Sequence, residues 1–292
     1  MPGHYIGEDF LPTNKHDVYP AIEAAKADLR GKVVVITGAS RGLGQATATA
    51  MAAGGASGLA LLARGDLAAT AAACRAAACA SSNLQVLTLT VDVTDEAQVA
   101  AAAAQVQDAF GRVDVVINNA GHLEHWALVA ESEPGAWWRS FEVNVRGTYL
   151  VTRAFLPLLV ACGGAKTVVN VTTAGAVGFL PRYSAYSISK LAMLRLAEWL
   201  GHEYGDAGVL AHAVHPGMVM TDMAATLPPE FVGAPIWDDV PALPAHTLLW
   251  LVRERREWLA GRYVDCRWDV EALLARRQEV VDGDKLKVNL VV

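Results

Sequence analysis

Tyr186 and Lys190 lie four residues apart in a helix-compatible run that extends from Ala185 to Gly201. Residues at this spacing share one face of a helix. A free tyrosine keeps its proton near neutral pH, and lowering its pKa from about 10 to about 7 takes about 4 kcal/mol of preferential stabilisation of the phenolate. A lysine charge in a partly dry cleft can supply much of this energy. The pair therefore suits general acid–base catalysis, although this spacing alone is more often found on a solvated helix face.

A glycine-rich turn near the amino terminus predicts a binding site for a dinucleotide. The β-branched run 32–36 is typical of a strand buried on both faces, and an alanine-rich helix pattern follows at 45–53. The turn between them carries glycines at positions 38, 42 and 44. Glycine lets the backbone approach a ligand closely, and the N–H groups that open the following helix attract phosphate. An ordinary strand-to-helix turn is the alternative, but the G-x-x-x-G-x-G spacing fits the dinucleotide pattern better.

The composition bounds the class of protein. With 292 residues, of which 53% are hydrophobic, the chain can form one α/β domain. Its net charge of −6 argues against nucleic acid or an anionic membrane as the main partner. The first thirty residues show no signal-peptide pattern, and no apolar run reaches the roughly 18–20 residues that span a bilayer, so we expect a cytoplasmic protein. The four cysteines lack metal-ligand spacing, so we expect reduced thiols and no metal site.

Alternating segments predict the fold class α/β, with a doubly wound parallel sheet between two layers of helices. Strands are expected at 32–36, 58–63, 84–91, 113–117, 166–172, 208–214 and 261–264, and helices at 45–53, 66–80, 95–110, 134–161 and 184–204. Ligands of such sheets bind beyond the carboxyl ends of the strands, where the motifs fall.

The domain organisation is expected to be simple. Residues 1–30 form an irregular amino-terminal arm with a short helix near 20–29, and residues 31–292 form a single dinucleotide-binding domain. The segment 221–247 breaks the alternation with five prolines and several apolar side chains. We expect it to be a lid over the substrate.

These motifs resemble the short-chain dehydrogenase/reductase family, in its single-domain branch, from about Lys32 to Pro216 and more loosely to the end. The family motifs are matched by T-G-x-x-x-G-x-G at 37–44, N-N-A-G at 118–121, an asparagine at 144, Y-x-x-x-K at 186–190 and P-G-x-V-x-T at 216–221. The arm and the closing segment 285–292 resemble a fungal subset of uncharacterised reductases.

The resemblance implies the catalytic roles. Tyr186 would pass a proton to a carbonyl oxygen or accept one from an alcohol, and Lys190 would lower the tyrosine pKa and hold the nicotinamide ribose. Asn144 would order a water that links Lys190 to solvent. The family places a serine thirteen residues before the tyrosine, and Thr173 occupies that position here. Thr172 is the alternative, since the nearby glycine at 175 favours it whereas the proline at 181 favours Thr173.

Cofactor choice depends on the end of the second strand. A carboxylate there binds the ribose hydroxyls and repels a 2′-phosphate. This chain has Ala63 at that point, followed by Arg64, with Arg41 in the glycine turn. Two guanidinium groups suit a phosphate dianion, so we predict NADP(H), while Asp66 is expected to be a helix N-cap. The predicted cofactor-binding set is Gly38, Ser40, Arg41, Gly42, Leu43, Gly44, Arg64, Asp92, Val93, Asn119, Ala120, Gly121, Tyr186, Lys190, Pro216, Gly217, Val219 and Thr221.

Other chemistry-bearing residues have plainer interpretations. His122 and His125 follow the N-N-A-G motif and are expected to be polar loop residues, and His215 a packed strand-end residue. Trp126 and Trp237 are the tryptophans best placed to contact substrate. Packing roles are expected for tryptophans 137 and 138, and a solvated helix face for the charged stretch 253–257.

The function that follows is an NADPH-dependent reductase of a ketone or aldehyde, reversibly an alcohol dehydrogenase, on a hydrophobic or secondary-metabolite substrate. A dehydratase or cyclase on the same fold and an NADP(H)-sensing regulator remain alternatives, although a tuned phenol argues against the regulator. The resemblance also implies a homodimer or homotetramer that pairs through the fifth and sixth helices. The apolar positions 191, 194, 197 and 199 permit this, and core packing explains them equally well.

Overall fold

Seven strands form one parallel sheet in the computed structural model, which describes residues 10–11, 14–79, 83–124 and 126–290. The strands are β1 Val33–Thr37, β2 Gly58–Ala63, β3 Gln85–Thr90, β4 Val115–Asn118, β5 Thr167–Val171, β6 Leu210–His215 and β7 Tyr263–Asp265. Their spatial order is β3-β2-β1-β4-β5-β6-β7. The order reverses between β1 and β4, which is the point where such sheets open a crevice at the carboxyl ends of their strands.

Helices cover the sheet and confirm the predicted α/β class. They are α1 Gly42–Ala53, α2 Ala68–Ala77, α3 Glu96–Phe110, α4 Pro134–Phe141, α5 Thr148–Ala161, α6 Ser184–Tyr204, α7 Pro229–Val232, α8 Ala242–Arg253, α9 Val270–Ala275 and α10 Arg277–Asp282. A π-helical segment, Glu142–Gly147, joins α4 to α5, so that the predicted helix 134–161 is continuous. Among the helices described, none combines the length and the apolar character needed to cross a membrane.

The sheet is buried because its central strands are apolar on both faces. Every residue of β1, β2, β4, β5 and β6 is buried. Helix α1 packs beside α2 and α8, whereas α3 packs beside α5. Burying these β-branched and aliphatic side chains between helices is the main source of stability, at roughly 25 cal/mol per Å² of apolar surface removed from water.

Three local predictions differ from the structure. The predicted helix near 20–29 is a pair of short 3₁₀ turns, Pro20–Ile22 and Ala24–Lys26. The last six residues of the predicted lid begin a core helix, α8, whose Leu249 and Trp250 are fully buried. The predicted solvated helix face at 253–257 is also wrong, because α8 ends at Arg253 and Arg256 is only 5% exposed. The Arg256 guanidinium lies 3.5 Å from the Trp250 ring centroid, a cation–π contact that sequence spacing does not reveal.

The described part of the amino-terminal arm lies against the carboxyl-terminal region. Asn14 forms an antiparallel bridge with Trp268, and the Lys15 ammonium lies 3.0 Å from an Asp269 carboxylate oxygen. The Tyr19 hydroxyl donates a hydrogen bond to the Trp268 carbonyl at 3.2 Å. Residues 1–9 and 12–13, the remainder of the predicted arm, lie outside the described residues.

Candidate functional site

A cleft of about 660 Å³ opens at the carboxyl ends of the central strands. Sixteen of the residues predicted to bind cofactor line it: Gly38, Ser40, Arg41, Gly42, Leu43, Gly44, Arg64, Asp92, Val93, Asn119, Ala120, Gly121, Tyr186, Lys190, Pro216 and Thr221. Gly217 and Val219 are not part of the lining, nor are Asn144 and Thr173. The cleft therefore brings the glycine turn and the Tyr–Lys pair into one space.

Close backbone approach explains the spacing of the glycines. Gly38 has φ +64°, and a Cβ there would lie 2.9 Å from the Cα of Ala120. A Cβ on Gly44 would lie 2.2 Å from the Gly38 carbonyl oxygen, closer than real Cβ contacts. The turn leads directly into α1, whose N-cap side chain, Arg41, makes no capping hydrogen bond. The first N–H groups of the helix therefore receive no side-chain cap from Arg41, and the residues that carry them line the cleft, where they could donate to an anion.

Asn119 holds the glycine turn to the end of β4. Its side-chain nitrogen donates to the Thr37 carbonyl at 2.9 Å and to the Gly38 carbonyl at 3.2 Å. The Thr37 hydroxyl accepts hydrogen bonds from the backbone N–H groups of Asn119 and Ala120, each at 3.0 Å. The amide nitrogen of Asn119 is thus committed to the protein, and this asparagine shapes the cleft by bracing its floor.

Tyr186 and Lys190 meet at the inner end of the cleft. Both are on α6, and the Lys190 ammonium lies 5.6 Å from the centroid of the Tyr186 ring. Lys190 is only 3% exposed, and its ammonium donates to the Val171 carbonyl at 2.8 Å. A Cβ on Gly121 would lie 3.3 Å from this ammonium nitrogen, so the glycine leaves open the space beside it.

Asn144 sits behind this pair in the π-helical segment. A π-turn often marks a functional position, because it redirects one side chain within a helix. The Asn144 amide donates to the His122 carbonyl and to the Ser189 hydroxyl, each at 2.9 Å, and its oxygen accepts from the His122 N–H at 2.8 Å. The Ser189 hydroxyl in turn donates to the Tyr186 carbonyl at 2.8 Å. This network connects Asn144 to the backbone of the helix that carries the phenol.

The electrostatics of the protein alone differ from the sequence-based expectation. Desolvation by burial, and then the charge of Glu124, raise the pKa of Tyr186 above its ordinary value. Burial lowers the pKa of Lys190 to about 7. Burial and the charge of Glu124 therefore oppose the predicted lowering of the tyrosine pKa by lysine. The physical reason is that a desolvated lysine loses its own charge as readily as it stabilises a phenolate.

The two candidate threonines have different surroundings. The Thr172 hydroxyl is 3.3 Å from the Val214 carbonyl, to which it donates, and the residue is buried at the cleft wall. The Thr173 hydroxyl accepts from the Gly175 N–H at 3.2 Å and caps a short 3₁₀ turn, Ala174–Ala176. The Thr173 hydroxyl keeps its proton available, whereas that of Thr172 is engaged by the backbone.

The outer end of the cleft carries three arginines. Arg41 pairs with Asp222 at 2.6 Å, and Arg64 lies 3.9 Å from Asp92. Arg139, which sequence reasoning missed, lies 3.8 Å from the same Asp92 oxygen. Desolvation alone would raise the pKa of Asp92, but hydrogen bonds from Thr94 and these two arginine charges lower it.

The predicted helix cap and the P-G-x-V-x-T motif have structural partners. The Asp66 carboxylate accepts from the N–H of Ala68 at 3.0 Å, but the N-cap of α2 is Leu67, so Asp66 supports the first turn from one position before the predicted cap. Gly217 has φ +87°, and a Cβ there would lie 2.5 Å from an Asp239 carboxylate oxygen. This glycine therefore packs against Asp239 and does not line the cleft.

A cluster of His16, Asp238 and Asp239 was not visible in the sequence. One ligand atom from each lies within 4.8 Å of the others, an arrangement that could hold a metal ion. Asp239 is already engaged, since its carboxylate accepts from the Met218 N–H at 2.5 Å and pairs with the His16 ring at 2.7 Å. These bonds fasten the arm to the turn after β6.

Aromatic side chains line up beside Tyr186. The Tyr183 and Tyr186 ring centroids are 4.9 Å apart, and Trp126 lies 5.4 Å from Tyr183 and 4.7 Å from Phe231. The Trp237 ring nitrogen donates to the Phe231 carbonyl at 2.6 Å, so this tryptophan supports the wall. We define these five residues as the aromatic wall.

The remaining histidines and tryptophans largely agree with their plainer interpretations. His215 is 3% exposed, and burial lowers its pKa, as expected for a packed strand-end residue. His122 joins the Asn144 network through its backbone, whereas His125 lies outside the described residues. Trp137 stacks on Phe141 at 4.8 Å, which confirms packing. Trp138 also stacks there, but it remains 56% exposed.

Sequence reasoning missed Glu124 and Asp222 as well as Arg139. Glu124 accepts hydrogen bonds from the Tyr186 N–H at 3.1 Å and from the Ser140 hydroxyl at 2.8 Å. Its position three residues after the N-N-A-G motif was the available signal. Asp222 directly follows the P-G-x-V-x-T motif, and charge at that site could have suggested a partner for an arginine.

Comparison with known proteins places the chain in a family. A family model described as short chain dehydrogenase matches residues 32–230. The chain is 49% identical over 288 residues to Short chain dehydrogenase mpl6 of Monascus purpureus, covering 98% of each chain. It is 40% identical to Short chain dehydrogenase andI of Emericella variicolor, over 98% of this chain and 97% of the relative.

A solved structure agrees at the level of the fold. The crystal structure of a putative short-chain dehydrogenase/reductase from Burkholderia xenovorans has a TM-score of 0.71 and 23% identity, and the match covers 82% of this chain and 96% of that one. The seven-stranded sheet, the glycine turn and the Y-x-x-x-K pair agree with the family match. The chain therefore belongs to the short-chain dehydrogenase family.

Proposed function

We propose that the chain is an NADPH-dependent oxidoreductase that reduces a ketone or an aldehyde and in reverse acts as an alcohol dehydrogenase. The observation that carries this proposal is that Tyr186 and Lys190 share one cleft with the glycine turn. A hydrophobic substrate, of the secondary-metabolite kind, is proposed because the aromatic wall begins at the phenol. The fungal origin of the relatives from Monascus and Emericella supports the same substrate class.

The residues that would hold the cofactor fit its chemistry. The glycine turn lines the cleft at the start of α1, where backbone N–H groups can donate to a pyrophosphate. Beside Ala63 at the end of β2, Arg41 and Arg64 offer guanidinium groups to a 2′-phosphate. The Arg41–Asp222 pair is exposed, and such pairs contribute only about 0–1 kcal/mol, so a phosphate can replace the carboxylate. When bound, the cofactor would supply the hydride.

The proton is proposed to come from Tyr186. The phenol would donate it to the substrate oxygen in reduction and accept it in oxidation, with Lys190 stabilising the phenolate that remains. Because the ammonium has three hydrogens and one contacts the Val171 carbonyl, the others can reach the cleft. Asn144 would hold the water that resupplies the proton, and its network keeps it behind the pair.

Thr173 is proposed to hydrogen-bond the substrate oxygen, because its hydroxyl proton is not engaged by the backbone as that of Thr172 is. Thr173→Ala should then lower kcat by about 10²-fold, in the range of a lost oxyanion donor. Thr172→Ala is the matched control and should act mainly through stability. An equal loss of kcat in the two variants, with equal melting temperatures, would refute the assignment of Thr173.

The reaction is tested by following NADPH absorbance across a panel of ketones and aldehydes, with aromatic and aliphatic members. We expect turnover for bulky hydrophobic carbonyls and a higher kcat/KM with NADPH than with NADH. Tight NADPH binding without oxidation of NADPH by any member would favour a regulator or a dehydratase instead. Conversion of substrate without a change in NADPH would single out the dehydratase or cyclase.

We further propose a cytoplasmic homodimer or homotetramer paired through α5 and α6. An apolar groove of about 580 Å³ between these helices, lined by Tyr149, Leu156 and Leu196 among others, supports this. Trp199 is 54% exposed and could contribute, whereas Leu194 and Ala197 are fully buried and serve the core. Sedimentation of the wild type and of Tyr149→Glu tests the pairing, and a monomeric wild type would exclude it.

A further inference from the structure

Helix α6 begins without a cap of its own. Its N-cap residue is Tyr183, whose side chain makes no capping hydrogen bond. Tyr186 is the third helical residue, so its N–H is one of the four that lack a partner within the helix. The Glu124 carboxylate accepts this N–H at 3.1 Å from a loop that follows β4. A residue more than sixty positions away thus caps the first turn of the helix, at the backbone N–H of the residue that carries the phenol.

The second oxygen of Glu124 is fixed from another element. It accepts from the hydroxyl of Ser140, which is fully buried on α4. Nearby, the Trp137 ring nitrogen donates to the Ser184 hydroxyl at 3.1 Å, which also ties α4 to the first turn of α6. The carboxylate therefore has one rigid placement, with both oxygens occupied by donors from different helices.

We propose that Glu124 is a positioning residue that fixes the start of α6 and, through its negative charge, keeps the Tyr186 phenol in its proton-donating form. This inference rests on the proposed function, since it assigns a role within the same proton transfer. The negative charge of a carboxylate beside a helix N-terminus interacts favourably with the helix dipole. Its charge opposes a second negative charge on the neighbouring phenol, which agrees with the raised pKa of Tyr186.

The other groups around the phenol do not duplicate this charge. Tyr183 and Lys190 come from the segment of α6 itself, and His122 belongs to the loop that carries Glu124. From α4, the nearby residues Trp137 and Ser140 are uncharged, and from α7 the aromatic wall contributes Phe231. Within the described residues, Glu124 is the carboxylate that acts on the Tyr186 pKa.

The test compares Glu124→Gln with Ser140→Ala. The glutamine keeps the size and one acceptor for the Tyr186 N–H but removes the charge, whereas the alanine removes a hydrogen bond and keeps the charge. For carbonyl reduction, a plot of kcat/KM against pH should decline at alkaline pH as the phenol loses its proton. We expect Glu124→Gln to move the midpoint of this decline to lower pH by roughly half a unit to one unit. Ser140→Ala should leave the midpoint of this alkaline decline at the wild-type pH. Glu124→Ala should shift the midpoint as Glu124→Gln does, and it should also lower kcat because the N–H of Tyr186 loses its acceptor.

A second readout does not depend on turnover. The phenol can be titrated by tyrosinate absorbance, as the difference between each protein and the same protein carrying Tyr186→Phe. The midpoint should fall in Glu124→Gln and stay at the wild-type pH in Ser140→Ala. An unchanged titration midpoint and an unchanged alkaline decline of kcat/KM in Glu124→Gln, with the wild type active, would overturn the inference. A wild type without any carbonyl reduction would instead defeat the proposed function, and the titration would still decide the role of Glu124.

Discussion

The two ends of the cleft are held in place by different kinds of contact. At the glycine turn, backbone meets backbone, and a Cβ on Gly44 would lie 2.2 Å from the Gly38 carbonyl oxygen. Around Tyr186, side chains and backbone groups from separate segments meet, as in the bonds of Glu124 to the Tyr186 N–H and to Ser140. Steric exclusion at the first end admits glycine alone, whereas several combinations of side chains could satisfy the second.

The two kinds of contact give the two ends of the cleft different roles. The glycine turn is fixed by close backbone contacts, so we expect it to set where a phosphate of the proposed cofactor lies. The region around Tyr186 is built from distant segments, so it sets the charge and polarity that a reacting group meets. Substitutions at the first end should act through folding and cofactor affinity, and those at the second through turnover and pH dependence.

Removal of the Tyr186 hydroxyl should have the largest effect of any single change. Tyr186→Phe keeps the ring contact with Tyr183 at 4.9 Å but removes the proton donor. We expect kcat/KM for carbonyl reduction to fall by about 10³-fold, within the range for general acid–base catalysis. The measurement is steady-state reduction of one carbonyl with NADPH, together with the melting temperature.

Tyr183→Phe is the matched control for that variant. Tyr186 lines the cleft whereas Tyr183 does not, so we assign the Tyr183 hydroxyl no role in proton transfer. The kcat/KM of Tyr183→Phe should change by less than about fivefold, because this variant alters a side chain beside the proposed proton donor and not the donor itself. Equal losses in the two variants would mean that the aromatic wall, and not the Tyr186 hydroxyl, governs turnover.

Substitution in the glycine turn should mainly lower the free energy of unfolding. Gly44→Ala forces a Cβ against backbone atoms that cannot move aside, and we expect a loss of about 3 kcal/mol in the free energy of unfolding. Gly201→Ala on α6 is the control, because no atom lies within 4 Å of a Cβ there. It should gain about 0.5–1 kcal/mol from helix propensity. Denaturant unfolding of both variants checks the contrast, which would fail if Gly44→Ala were as stable as wild type.

The sequence predicted the elements that depend on local pattern. The strand β2 and the joined helix 134–161 follow their predicted bounds, because apolar period and length specify them. Helix α8 was missed because prolines at 241 and 244 suggested a loop, although proline is tolerated in the first turn of a helix. Such a helix is recognised only from the tertiary structure, which shows that its side chains are buried.

The residues of the candidate site divide in the same way, into those set by local pattern and those set by contacts between distant segments. Motif residues at the glycine turn line the cleft, where close backbone approach demands glycine, and their contacts with a cofactor stay a prediction. Glu124 and Arg139 were missed because the partners that hold them at the cleft, the Tyr186 N–H and Asp92, are far away in the chain, so local pattern does not reveal these contacts. The direction in which the pKa of Tyr186 shifts also depends on burial, and the spacing of residues along a helix does not reveal burial.

The buried Lys190 side chain should lower the stability of the protein at neutral pH. Burial lowers its pKa to about 7 from the ordinary 10.5, so between these values the unfolded chain binds more protons and stability rises with pH. The full shift corresponds to about 5 kcal/mol, and we expect about half of this gain on substitution because methionine also loses the hydrogen bond that Lys190 donates to the Val171 carbonyl. Lys190→Met should therefore stabilise the protein by about 2 kcal/mol at pH 7 and remove the rise between pH 7 and 9.5.

The measurement is denaturant unfolding at several pH values below 10, where the raised pKa of Tyr186 does not yet contribute. Lys26→Met, at an exposed position, is the control and should keep the wild-type pH dependence. Turnover should be lost in Lys190→Met alone. An unchanged pH dependence of unfolding in that variant would show that the ammonium is better solvated than its 3% exposure indicates.

Arg64 should make the smallest contribution, because its side chain is 72% exposed and lies 3.9 Å from Asp92. Arg64→Ala removes one guanidinium from the proposed 2′-phosphate site, and we expect the KM for NADPH to rise about tenfold, equivalent to about 1.4 kcal/mol. The KM for NADH, which lacks that phosphate, should stay unchanged. Arg75→Ala on the exposed face of α2 is the control for lost surface charge and should alter neither value. A loss confined to NADH, or equal efficiency with both cofactors in the wild type, would contradict the NADPH preference and would leave the outer end of the cleft as a surface of paired charges.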